Sequence, residues 1–136
     1  MRTMNRLLLL GFSALFILQS CRYGTTVESF PPARSPKGVT GDVVTRRSTY
    51  SVELIEVRET GIVILTAKTF RFVPYSAIAS SKFDGISDSI SGRKSPSAKT
   101  REHLSLVSRF PQRLAPELLQ RLLSANGQTE LAQDNP

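Results

Sequence analysis

Residues 48–74 read STYSVELIEVRETGIVILTAKTFRFVP. Ser48 to Arg58 is dense in Val, Ile, Leu, Tyr and Thr and alternates in part through Tyr50, Val52 and Leu54, which is how a half-buried strand reads. Ile62 to Thr66 is a short apolar run and a second strand. Phe70 to Pro74 sets Phe70 and Phe72 around Arg71 and makes a third. Glu59-Thr60-Gly61 closes a tight turn between the first two, with Gly61 available for a left-handed backbone. Ala67-Lys68-Thr69 joins the second to the third. Pro74 has no N–H for a ladder, so it marks a strand end or an edge. These residues predict three antiparallel strands in meander order.

Working outward, Asp42 to Arg46 follows Gly41 as a short first strand, Tyr75 to Ser80 makes a single helical turn, and Lys82-Phe83 forms a last short strand. Four or five short strands with tight turns over residues 41–83 are what a small closed barrel requires, because closure removes unpaired edges. The segment resembles SH3-like and Sm-like barrels in the way VELIEVRETGIVIL is followed by FRFVPYSAI, a long bent hairpin and then a strand running into a helical turn. That resemblance covers about a third of the chain and rests on no diagnostic motif. The expected fold is mainly β with C-terminal helices, either such a barrel or an antiparallel meander covered by a helix.

Residues 84–101, DGISDSISGRKSPSAKTR, are Ser-rich and basic in their second half and read as a linker. A helical tail is expected over 102–127. Leu104, Val107 and Phe110 recur near one helical turn, Leu106 widens that face, and Pro111 stops it. A second helix opens with Pro116 and Glu117, carries Leu118, Leu119, Leu122 and Leu123, and stops at Asn126-Gly127. Residues 128–136 are expected to fray.

The N-terminus carries a different signal. MRTMNR contains Arg2 and Arg6 and no acid, and twelve uncharged residues follow from Leu7 to Leu18. At about 1.5 Å per residue that run spans about 18 Å, short of the roughly 30 Å hydrocarbon core of a bilayer. Residues 1–20 therefore read as an export signal that is removed rather than a span that stays. Leu18-Gln19-Ser20-Cys21 then resembles the lipobox of bacterial lipoproteins. Gln19 departs from the commoner small residues at a permissive position. The resemblance implies Leu18 and Ser20 as recognition positions and Cys21 as the lipidated first residue of the mature chain, carrying diacylglycerol and a further fatty acyl group such as palmitate. Two or more chains turn marginal membrane attachment into stable anchoring. Arg22, where an aspartate would imply inner-membrane retention, implies an outer membrane facing the periplasm, if the organism has one. The only cysteine in the sequence is Cys21, so no disulfide forms within one chain. The plain alternative for it is a buried small hydrophobe. Residues 21–40, with Pro31-Pro32 and Pro36, read as a flexible tether.

Losing Arg2 and Arg6 takes the formal charge from +7 to +5. That excess favours anionic partners such as headgroups or acidic glycans, and export disfavours nucleic acid. Arg46-Arg47 and Arg93-Lys94 are the densest basic pairs, read either as headgroup contacts or as charges that keep flanking elements soluble. The inventory offers no enzyme. His103 is the one histidine, no His/Cys metal cluster or calcium loop exists, and GVTG at 38–41 lacks the rest of a nucleotide fingerprint. No cofactor is expected. The candidate binding surface is Arg58, Arg71, Tyr75 and Phe83; solvated charge is the alternative for the arginines, core packing for the aromatics. The expected function is a membrane-tethered, non-enzymatic envelope interaction or structural module, its partners the bilayer through acylated Cys21 and an envelope protein. The alternative is a ligand-binding accessory protein for cell-wall glycan or an acidic polymer.

Overall fold

A computed structural model describes residues 37–135. The signal segment at 1–20, the lipobox and nearly all of the expected tether lie outside the described residues. Strands β1 (Thr40–Thr45), β2 (Thr49–Val57), β3 (Gly61–Thr66), β4 (Thr69–Pro74) and β5 (Ile78–Phe83) are followed by helices α1 (Ala98–Val107) and α2 (Pro116–Ala125) and a two-residue strand β6 (Ala132–Gln133). A 3-10 turn over Tyr75–Ala77 separates β4 from β5. The chain is thus mainly β with C-terminal helices, as the sequence predicts.

The six strands form one open sheet in the order β5-β1-β2-β3-β4-β6, antiparallel except where β6 joins β4 in parallel. The barrel expectation is corrected here: the sheet does not close. Closure is one way to dispose of unpaired edges, and this chain covers both edges instead. Beyond β5, Ser91 bridges Ser80, Gly92 N–H donates to the Ala79 carbonyl and Arg93 N–H to that of Ile78, each at 3.0 Å. Beyond β4 lies the C-terminal segment.

Both faces of the sheet are covered as well. One core gathers Val43, Val52, Leu54, Ile62, Ile64, Val73, Ile78 and Phe83 with Ile90 and Leu104 of α1. The second joins Ile55, Val63 and Phe70 to Leu114 and to Leu123 of α2. This explains the unbroken apolar run in β3, where Ile62 and Ile64 serve one core and Val63 the other. In β2 the alternation fails at Ile55 because pairing slips: Leu54 faces Ile64 and Glu56 faces Val63, leaving Ile55 as an extra residue. That bulge sets Ile55 and Glu56 on the same face, toward the second core, and leaves the carbonyls of Leu54 and Ile55 free of the ladder. Arg109 N–H and Phe110 N–H, in the link between the helices, take them up at 3.0 Å. Glu53 holds the same link, accepting from Arg109 Nε at 2.8 Å and from Gly38 N–H at 2.7 Å.

Several local expectations are revised. Gly61 is not among the glycines with positive φ. It is a glycine because its backbone lies against the Val73 carbonyl, where a Cβ has no room. β5 begins at Ile78 rather than Lys82, and the helical turn ends at Ala77. In the expected linker 84–101, Ile90 is completely buried and its N–H donates to Ser81 Oγ at 2.8 Å. Helix α1 starts inside that stretch, capped by Ser97 Oγ, which accepts from Thr100 N–H. Leu106 does not widen the packed face and is 68 % exposed. The segment 128–136 is ordered as far as it is described: β6 pairs Ala132 with Arg71 and Gln133 with Phe72.

Candidate functional site

The four domain residues put forward for binding do not form one surface: Arg58 and Tyr75 meet through a hydrogen bond, and Arg71 and Phe83 are engaged elsewhere. Phe83 is buried in the core beneath α1. Arg71 does not face solvent, although Phe70 and Phe72 do face the α2 core, because the opposite face is covered too. Its Nη1 donates to Asp134 Oδ1 at 2.7 Å and its guanidinium lies 5.1 Å from the centre of the Tyr50 ring. Tyr75 is buried, and its hydroxyl donates to the Arg58 carbonyl at 2.7 Å. Its own N–H donates to the Thr60 carbonyl at 3.1 Å. Phe83 and Arg71 are therefore structural, Tyr75 supports a turn from behind, and Arg58 alone reaches a cleft.

That cleft lies between the β2–β3 turn and the link joining α1 to α2. Arg58, Arg101 and Arg113 line a hollow of about 240 Å³ with Glu102 and Ser105. It continues past Thr60 and Leu114 into an adjoining hollow of about 500 Å³. Arg58 is anchored by Glu56, whose Oε2 accepts from Nε at 2.8 Å, and its guanidinium stands 5.9 Å from the Phe72 ring centre. Glu56 is buried, yet both its oxygens are used, since Oε1 accepts from Leu114 N–H at 3.1 Å. Arg101 donates through Nη1 to Ser95 Oγ and the Pro96 carbonyl. Arg113 has a φ of 73°, a left-handed backbone that costs a non-glycine residue about 1 kcal/mol or more.

Burial pushes the Tyr75 hydroxyl up to about 12, with Arg101 acting in the opposite sense. The phenol is thus a neutral hydrogen-bond donor, held behind the cleft on the Arg58 carbonyl. Three guanidinium groups face the exposed carboxylates of Glu59 and Glu102 across this surface. Such an arrangement can hydrogen-bond polar groups of either sign.

Arg101 and Arg113 escape a reading of the sequence. Arg101 sits in a stretch whose serines suggest a linker, and a left-handed arginine carries no mark of the kind that Gly or Asn supplies. His103 stands on exposed α1 with Nδ1 3.1 Å from Asp88 Oδ2. Among the described residues no group of three His, Cys, Asp or Glu is placed to hold a metal ion. Compared with family models, curated proteins and solved structures, the chain finds no match in any of the three.

Proposed function

We propose that the protein is a lipid-anchored, non-enzymatic lipoprotein of the cell envelope, whose tethered β domain acts as an interaction or structural module. The observation that carries this reading is Leu18-Gln19-Ser20-Cys21 placed directly after a basic head and a twelve-residue apolar run. Acylation of Cys21 supplies the membrane attachment, on the periplasmic side of an outer membrane where the organism has one. The domain supports the module reading through a sheet covered on both faces and an arginine-lined cleft left open to a partner envelope protein.

The test is the intact mass and N-terminal peptide mass of the chain expressed in a lipoprotein-processing bacterium, beside Cys21→Ser. The expected product begins at Cys21 and carries added acyl mass that the substituted chain lacks. An unacylated N-terminus, or a cut elsewhere, rejects the anchor.

A second reading, an accessory protein that binds cell-wall glycan or an acidic polymer, is favoured by Arg58, Arg101 and Arg113 lining one hollow. Titration with peptidoglycan fragments and acidic glycans distinguishes it. Saturable binding weakened by Arg113→Ala supports it, and an absence of saturable binding removes it.

A further inference from the structure

The tip of the β1–β2 hairpin forms a second site, away from the arginine cleft. Thr45 closes this turn on itself. Its N–H donates to the Ser48 carbonyl at 2.8 Å, and its Oγ1 accepts from Ser48 N–H at 3.2 Å and from Arg47 N–H at 3.4 Å. With the N–H groups of Thr45, Arg47 and Ser48 spent inside the turn, Arg46 and Arg47 are held at its two central positions with their side chains exposed. Neither has an acidic partner among the described residues, whereas Arg58, Arg71 and Arg109 each do.

The C-terminal segment supplies the other wall. The two arginines, Ser48, Tyr50, Gln133 and Asn135 surround a pocket of about 140 Å³, room for one small group and not for a polymer chain. The one acid in the lining is Asp134, and it is already neutralised from behind: Oδ1 accepts from Arg71 Nη1 at 2.7 Å and from the Tyr50 hydroxyl at 3.3 Å. Two uncompensated guanidinium groups remain, facing a hydroxyl and two carboxamides. An isolated pair of like charges fixed at one tight turn repels itself, and an anion relieves the repulsion.

We propose that this pocket binds a phosphate group through Arg46 and Arg47. The guanidinium fork matches phosphate oxygens two at a time. Ser48 and the carboxamides of Gln133 and Asn135 add donors for a third oxygen, which a carboxylate does not possess. A soluble phosphate ester and an anionic phospholipid headgroup present the same chemistry. The assignment is independent of the lipid anchor and stands whether or not Cys21 is acylated.

The experiment is thermal unfolding of the full chain, purified in non-ionic detergent, in inorganic phosphate against chloride and acetate at matched ionic strength. At a phosphate concentration about tenfold above the dissociation constant, Tm should rise by about 4 °C or more over both controls. Arg46→Gln/Arg47→Gln should abolish the rise while melting normally in chloride, because both side chains lie outside the core. Lys68→Gln, at the tip of the β3–β4 turn, should retain it. The same melts in phosphatidylcholine bilayers with and without phosphatidylglycerol identify the source. A rise with phosphatidylglycerol that the double variant loses assigns the site to a headgroup, and a rise with inorganic phosphate alone assigns it to a soluble ester. Equal melting in phosphate, acetate and chloride together with no effect of phosphatidylglycerol overturns the proposal. So does a rise that the double variant keeps.

Discussion

Tyr75 fastens the β2–β3 turn twice, by its hydroxyl to the Arg58 carbonyl and by its N–H to the Thr60 carbonyl. Removing the hydroxyl leaves the Arg58 carbonyl short of a partner, so Tyr75→Phe should cost about 1 kcal/mol near neutral pH. Its pH dependence follows from the hydroxyl's value of about 12, against 10.0 for an unperturbed tyrosine. Below pH 10 the phenol is protonated in the folded and unfolded chain alike. Between about 10 and about 12 the unfolded chain gives up the proton while the folded chain retains it, so this group's stabilisation is lost as pH rises. The phenylalanine variant lacks that loss. Urea unfolding at pH 8 and pH 11 should therefore show the gap between the two proteins narrowing at the higher pH; a constant gap would contradict the assignment. Individual residues were legible in unequal measure. An aromatic such as Tyr75 or Phe83 announces burial through its size. Arg71 does not announce its ion pair, because Asp134 lies 63 residues away along the chain.

Among the elements, the meander from β2 to β4 can be read from its residues, since each strand pairs with its sequence neighbour through a short turn. The C-terminal segment cannot, because two-residue β6 has no periodicity to detect. It is held by side chains instead. A Schellman-type stop, with Gly127 at φ 71° and Gln128 N–H donating to the Leu123 carbonyl at 2.9 Å, ends α2 and delivers Gln128 to β4. There the Gln128 carboxamide acts as a surrogate strand residue: Oε1 accepts from Phe70 N–H at 2.7 Å and Nε2 donates to the Phe70 carbonyl at 3.0 Å. Gln128→Ala unmakes both bonds at a partly buried edge and should destabilise the protein by about 2 kcal/mol. Hydrogen exchange should show Phe70 and Phe72 losing protection before β1 and β2 do. Uniform loss across the sheet would mean that the clamp has no local role. Helix α1 is similarly hard to read at its start, where Lys99 to His103 are all polar and the apolar face begins only at Leu104.

For the molecule as a whole, one sheet carries two cores, and its central strands β2, β3 and β4 each send side chains into both. Neither core can be lost while the other keeps its partner face intact. Leu104→Ala on α1 and Leu123→Ala on α2 each delete a side chain that is about 1 % exposed or less and should each cost about 3 kcal/mol. Both should shift a single unfolding transition, with far-ultraviolet circular dichroism and tyrosine fluorescence coincident. Two separated transitions in either variant would show that the cores unfold independently. The fold class was readable from strand-forming runs and turn residues. The choice between a closed barrel and an open meander covered by a helix was not, because whether a small sheet closes depends on what covers its edges, and here the covering residues lie in segments whose composition suggests loops. The Gln128 clamp also has a bearing on the order of assembly. Phe70 precedes the side chain that pairs with it by 58 residues, so the outer backbone of β4 stays a bare template until the C-terminal segment docks. Until that segment docks, any extended segment of a neighbouring unfolded chain competes for the same hydrogen bonds, and the yield of correctly folded protein should fall as the concentration of unfolded chains rises.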